Sequence, residues 1–161
     1  MSDNKLLKQL EVIRAISTKS IESISEEVAD EMPEGYKNTI RWHLGHIVAV
    51  TDAFLFNFAE IPMYLSEEQF EMFKSGSKPA DWHTEPPTLD EISEMFNGQI
   101  DHIKKHLENR SMDEKTPKTF NLYGNPQETL GEVLNFCLYH EGFHLGYING
   151  RTPKGFKRAL K

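Results

Sequence analysis

The stretch Asn125-Pro126-Gln127-Glu128-Thr129-Leu130-Gly131-Glu132-Val133-Leu134-Asn135-Phe136-Cys137-Leu138-Tyr139-His140-Glu141-Gly142-Phe143-His144-Leu145-Gly146-Tyr147-Ile148-Asn149-Gly150 reads as one helix with its start and stop written in. Asn125 is the expected N-cap, Pro126 suits the first turn, Glu128 follows three residues after the cap, and Pro153 lies beyond the stop near Gly150. Leu130, Val133, Leu134, Cys137, Leu138, Leu145 and Ile148 fall on one apolar stripe at helical spacing. Glu141 lands near the centre of that stripe and His140 and His144 on its flank, with Gly131, Glu132, Asn135, Gly142 and Asn149 on the opposite, polar side. A carboxylate inside a buried stripe is costly unless it is hydrogen-bonded, paired or beside a cation.

Three more helices lie upstream. Leu6, Leu7, Leu10, Ile13, Ile16, Ile21, Ile24 and Val28 mark a first helix from Asn4 to about Val28, closed by Met32-Pro33-Glu34-Gly35. A second runs from about Lys37 to Ala59, ahead of Pro62. A third opens with Thr88 as N-cap and Glu91 three residues on, a capping box, and reaches about Asn109. Between the second and third, residues 61–87 hold one short capped helix at Ser66–Phe73 and otherwise loop. A connection of that length permits the flanking helices to run parallel, and its Phe, Met and Trp content predicts a packed wall over a site. Sustained period-two alternation is lacking, so no sheet is expected. The prediction is an all-α four-helix bundle, a single domain over 1–161 with a long crossover between helices two and three.

Composition bounds the function. The 161 residues are 38% hydrophobic and 27% charged, a soluble globular profile. A net charge of −7, from 25 acids against 18 bases, argues against nucleic acid as a partner. The basic residues Arg151, Lys154, Lys157, Arg158 and Lys161 read first as a solvated tail. Cys137 is the only cysteine, which forbids an intramolecular disulfide and suits a reducing compartment. Neither a signal core nor a membrane-spanning run is visible, so a cytoplasmic protein with no membrane partner is expected.

The chemistry-bearing residues are histidines. His140 and His144 form a literal H-E-x-x-H, and on a helix positions i and i+4 share a face, so both rings can reach one metal ion. Glu141, between them, could act as general base on a metal-bound water. The zinc-protease reading fails downstream. No His, Asp, Glu or Cys follows His144, and Tyr147 and Gly150 hold the positions where the extended motif needs glycine and a third histidine. A catalytic metal wants three protein ligands, so the third must come from upstream. On the second helix, Thr39-Ile40-Arg41-Trp42-His43-Leu44-Gly45-His46-Ile47-Val48 is apolar over most of its circumference, with Arg41, Gly45 and Asp52 marking the expected wet side. Both His43 and His46 then face protein, and periodicity does not choose between them. His102 and His106 sit among Asp101, Lys104, Lys105 and Glu108, a solvated face, and His83 beside Trp82 reads as an exposed or lid residue. Cys137 reads as a small buried hydrophobe, and Phe54-Leu55-Phe56-Asn57-Phe58 as core or dimer interface.

Two motifs together resemble those of the DinB-like (YfiT-like) metal-binding four-helix proteins. They are Asn38-Thr39-Ile40-Arg41-Trp42-x-Leu44-Gly45-His46-Ile47 and His140-x-x-x-His144-x-Gly146, with Gly76-Ser77-Lys78-Pro79 in the crossover as a third likeness. The resemblance spans nearly the whole chain and implies His46, His140 and His144 as ligands of a divalent metal ion. It also implies a homodimer and a small-molecule substrate, for some relatives a low-molecular-weight thiol handled by an S-transferase, for others a hydrolysable compound. Family members often carry Gln where Tyr147 stands. Three histidines suit zinc, nickel, copper, cobalt or iron, with zinc and nickel placed first here. The expectation is a metal-dependent enzyme, thiol S-transferase-like or hydrolytic, with Glu141 as its catalytic residue; the alternative is a non-catalytic metal-binding or stress-response bundle.

Overall fold

A computed structural model describes residues 5–152. Four long helices form the body: α1 (Lys5–Ile21), α3 (Ile40–Ala59), α5 (Leu89–Leu107) and α6 (Leu130–Arg151). Around them lie α2 (Glu26–Asp30), α4 (Glu67–Phe73), a short 3₁₀ turn at Pro79–Asp81 and a hairpin, β1 (Lys115–Leu122) and β2 (Asn125–Thr129). The predicted all-α bundle with its long crossover is the architecture observed. Among the described residues no helix is long and apolar enough to cross a membrane.

Two apolar cores are stacked along the bundle. One gathers Ile21, Ile40, Leu44, Val48, Phe73, Ile92, Phe96 and Ile148, and the other Leu10, Leu55, Ala59, Ile103, Leu107, Leu130 and Leu134. Chain order through these cores gives direction: α3 and α5 pass from the first to the second, α1 and α6 the other way. So α3 and α5 are parallel, as the crossover allows. Each long helix packs on two others, α3 and α1 both against α5 and α6.

Polar side chains occupy the level between the cores. Glu141 is fully buried; its Oε1 accepts a 2.7 Å hydrogen bond from Ser17 Oγ, and its Oε2 lies 2.9 Å from Arg14 Nε. Arg14 Nη2 donates to Thr51 Oγ1 at 3.2 Å, and its guanidinium stands over the Phe96 ring, 4.8 Å from the centroid. The carboxylate in the apolar stripe therefore meets a cation and a hydroxyl, both from α1. Arg14 and Ser17 follow Leu10 at i+4 and i+7, on the buried face of α1.

Two boundaries differ from expectation. The first helix breaks at Glu22, because serines compete for the backbone: Ser23 Oγ donates to the Ser20 carbonyl and Ser25 caps α2 by accepting from Val28 N. The predicted start of the fourth helix is β2 instead. Tyr123 and Gly124 both take positive φ (49° and 81°), the two-residue turn that matches strand twist, and Leu122 pairs with Asn125 across it. The true cap of α6 is Thr129, which accepts from Glu132 N while Glu132 returns a carboxylate to Thr129 N. So the expectation of no sheet is corrected: a two-stranded hairpin stands there, seated by Phe120 against Phe54, Phe58 and Phe136.

The side of α3 expected to be wet is also covered. Asp52 is 3% exposed and accepts from the Tyr64 and Leu65 amides at 2.9 and 2.7 Å and from Gln99 Nε2 at 2.8 Å. Arg41 is 3% exposed and binds Asp30 through two nitrogens, each at 2.7 Å, as well as the Pro87 carbonyl at 2.8 Å. A Cβ on Gly45 would stand 2.4 Å from the Phe73 ring. These three residues grip the crossover and α2 rather than water.

Two outcomes follow for stability. Glu141→Ala leaves Arg14 buried without its carboxylate and should cost about 3–5 kcal/mol in urea unfolding of metal-free protein, whereas the double change Arg14→Met, Glu141→Leu should recover most of it. Gly45→Ala forces Phe73 off α3 and should cost about 1–3 kcal/mol in the same measurement.

Candidate metal centre

Where α3 meets α6, three histidines converge. His46, His140 and His144 each bring one ring nitrogen to within 4.8 Å of the others. His140 and His144 follow from i, i+4 spacing on α6; His46 comes from α3, packed against it. Among the described residues, the cluster that could hold an ion takes in His46 and not His43, between which periodicity left the choice open. His43 has a different place: its Nδ1 lies 2.8 Å from His144 Nδ1, so one of the two carries the proton between them.

The ring nitrogens sort themselves. His46 Nδ1 is 2.8 Å from the Phe73 carbonyl, which can only accept, so the proton of the neutral ring is on Nδ1 and Nε2 is left bare. Trp42 stacks on the other side of His46, centroids 4.3 Å apart and planes within 16°. The Trp42 indole N–H is itself held by Ser77 Oγ at 2.9 Å. The crossover therefore does form a wall of the site, through Phe73 and Ser77.

His140 Nε2 and His144 Nε2 face each other at 3.1 Å, and His140 Nδ1 is buried with no hydrogen-bond partner. Two nitrogens bound tetrahedrally at ~2.0–2.1 Å from a zinc ion stand about 3.3 Å apart. The pair is thus near ligand spacing already, with a nitrogen of His46 within 4.8 Å of both. The residues present fit a divalent ion.

Electrostatics favour the same use. Burial, then the neighbouring imidazoles, push His144 down to about 3; burial first and His46 second take His140 down to about 4. His43 is lowered to about 4, by burial first and then by His46 and Arg151. His46 is lowered by burial, with the Phe73 carbonyl opposing. All four rings are neutral at pH 7, so a metal ion need not displace protons from them.

Glu141, read from the sequence as a base beside the open coordination position, has both carboxylate oxygens turned toward Arg14 and Ser17 on α1. Among the described residues, the cluster that could hold an ion therefore consists of imidazoles alone. Cys137 is buried, and its thiol is pushed up to about 12 by that burial, as expected of an inert hydrophobe. His102 bonds the Pro62 carbonyl and His106 the His102 carbonyl, both at 2.8 Å, so this second i, i+4 pair serves the backbone. His83 is exposed. A groove of about 710 Å³ between α4 and the start of α5, lined by Tyr64, Glu68, Met72, Glu91, Glu94 and Met95, lies apart from the histidines. His43 is the site residue whose role sequence reasoning missed. Its signal was the i, i+3 spacing to His46 on a helix apolar nearly all round.

No curated protein matches the chain. The profile of the DinB superfamily matches residues 9–148, taking in every histidine described above. Matched over that length, and with a three-histidine cluster consistent with metal binding, the chain belongs to the DinB superfamily.

Proposed function

We propose that the protein is a divalent-metal-dependent enzyme that activates a low-molecular-weight thiol for transfer to an electrophile. The observation that carries this reading is the donor set: three neutral imidazoles converge, and the carboxylate beside His140 in the chain, Glu141, is committed to Arg14. Three protein ligands leave room for a further ligand, as catalytic sites require. A divalent ion held there would act as a Lewis acid that stabilises a thiolate or a hydroxide near neutral pH. With no anionic donor to offset its charge, such a site favours an anion from the substrate.

The chain's own residues divide the work. His46, His140 and His144 hold the ion, Phe73 fixes the His46 ring through its carbonyl, and Trp42 closes one side. Phe143, 64% exposed, meets His144 edge-on with centroids 5.4 Å apart and offers an apolar rim to the electrophile. Glu141 is assigned the part of an anchor for α6, not of a base. Zinc and nickel are the metals first in view.

Metal content of untagged protein, purified without chelator, should be near one divalent ion per chain and should vanish in His144→Ala. Loaded at about a hundredfold excess over Kd, wild type should gain ~2.7 kcal/mol of stability and His144→Ala none. Loaded wild type should then consume a chromogenic electrophile only when a thiol is supplied. Hydrolysis of an ester panel without thiol would shift the reading to a hydrolase, and metal uptake with neither activity to a binding protein. Failure to take up any of a panel of divalent ions ends the metal reading altogether.

A further inference from the structure

We infer that His43 is a positioning residue of the metal centre, which selects the ligating tautomer of His144. The inference rests on the proposed metal reading and adds to it a fourth histidine outside the ligand set. His43 Nδ1 stands 2.8 Å from His144 Nδ1, and the rings are tilted by 43° with centroids 5.0 Å apart. A neutral imidazole carries one proton, on one nitrogen. If His144 presents Nε2 to the ion, its proton must sit on Nδ1 and be donated to His43, whose own proton is then on Nε2. The reverse assignment puts a hydrogen on His144 Nε2, pointing toward His140 Nε2 at 3.1 Å, where the ion belongs.

His43 is well held for this task. Its ring packs on Tyr147 with centroids 4.2 Å apart and meets Trp42 edge-on at 5.2 Å. Tyr147 is in turn flanked by Tyr36 at 5.7 Å and by the Arg151 guanidinium at 5.8 Å. The two α6 ligands therefore differ. His144 has a partner for its second nitrogen, while His140 Nδ1 has none. Outer partners of ligating histidines fix ring orientation, and losing one costs about 10–100-fold in metal affinity. Here the partner is a neutral ring rather than a carboxylate, so it orients the ligand without adding negative charge.

The test compares cobalt(II) binding by full-length wild type, His43→Phe, which keeps the ring but loses the acceptor, and His43→Asn, whose amide oxygen can reach the Nδ1 position. Chelator competition should show the Phe variant weaker by about 10–100-fold, with an altered cobalt d–d spectrum, and the Asn variant close to wild type in both. In metal-free wild type, long-range ¹⁵N–¹H correlation should place the His144 proton on Nδ1, a reading that decides the matter even if His43→Phe misfolds. Unchanged affinity and spectrum in a folded Phe variant, or a proton on His144 Nε2, would overturn the inference while leaving the metal reading intact. A wild type that binds no cobalt or other divalent ion overturns both.

Discussion

The structure turns on one buried carboxylate. Glu141 has no solvent exposure, and a charge removed from water costs several kcal/mol unless partners replace it. Arg14 and Ser17 are those partners, so α6 can sit in the bundle only at the rotation that brings Glu141 to α1. At ~100° per residue, His140 then lies ~100° to one side of Glu141 and His144 ~60° to that same side. Fixing the carboxylate toward α1 thereby turns both imidazoles toward the next neighbour, α3. The same pairing commits the Glu141 carboxylate to α1 rather than to the imidazoles. One interaction sets the orientation of the site and its charge.

The third histidine of the cluster depends on a different constraint, the docking of the crossover. Gly45 leaves space on α3 for the Phe73 ring, and Phe73 then offers its carbonyl to His46, one residue further along. Asp52 and Arg41 hold the segments on either side, through the Tyr64 and Leu65 amides and the Pro87 carbonyl. The crossover is thus a long connection with few degrees of freedom. Its backbone, rather than a side chain, orients the His46 ring, so the role is carried by shape and leaves little trace in residue type.

How much of this was legible follows from how local each signal is. The Thr88 and Ser66 caps and the stop at Ala59 are written within a few residues of where they act, and they read correctly, whereas the first stripe ran on through the break at Glu22. The hairpin was hidden by coincidence: Asn125, Pro126 and Glu128 satisfy the rules for a helix start, while Thr129 and Glu132 satisfy them again four residues later. The conformation of Tyr123-Gly124 decided between them. Arg41, Gly45 and Asp52 were misplaced as wet because a helix projection sees polarity but not the segment that folds back over it. The shared face of His140 and His144 on α6 was legible from spacing alone. Which α3 histidine joins them was not, since the place of His46 depends on where Phe73 lands.

The H-E-x-x-H letters show the same limit within five residues. In a wet groove the middle carboxylate would be free to meet a water on the metal; at the centre of an apolar stripe it must first be neutralised. Which case holds is decided on α1, where Arg14 and Ser17 interrupt the buried line running from Leu10 to Ile21. A cation and a hydroxyl on one buried face, and a carboxylate on another, are each unfavourable alone and compatible only with each other. Read as a pair, they locate Glu141 before any coordinates do. The two histidines need only the face they share to come together, whereas the glutamate's partners lie on a helix more than a hundred residues away in the chain.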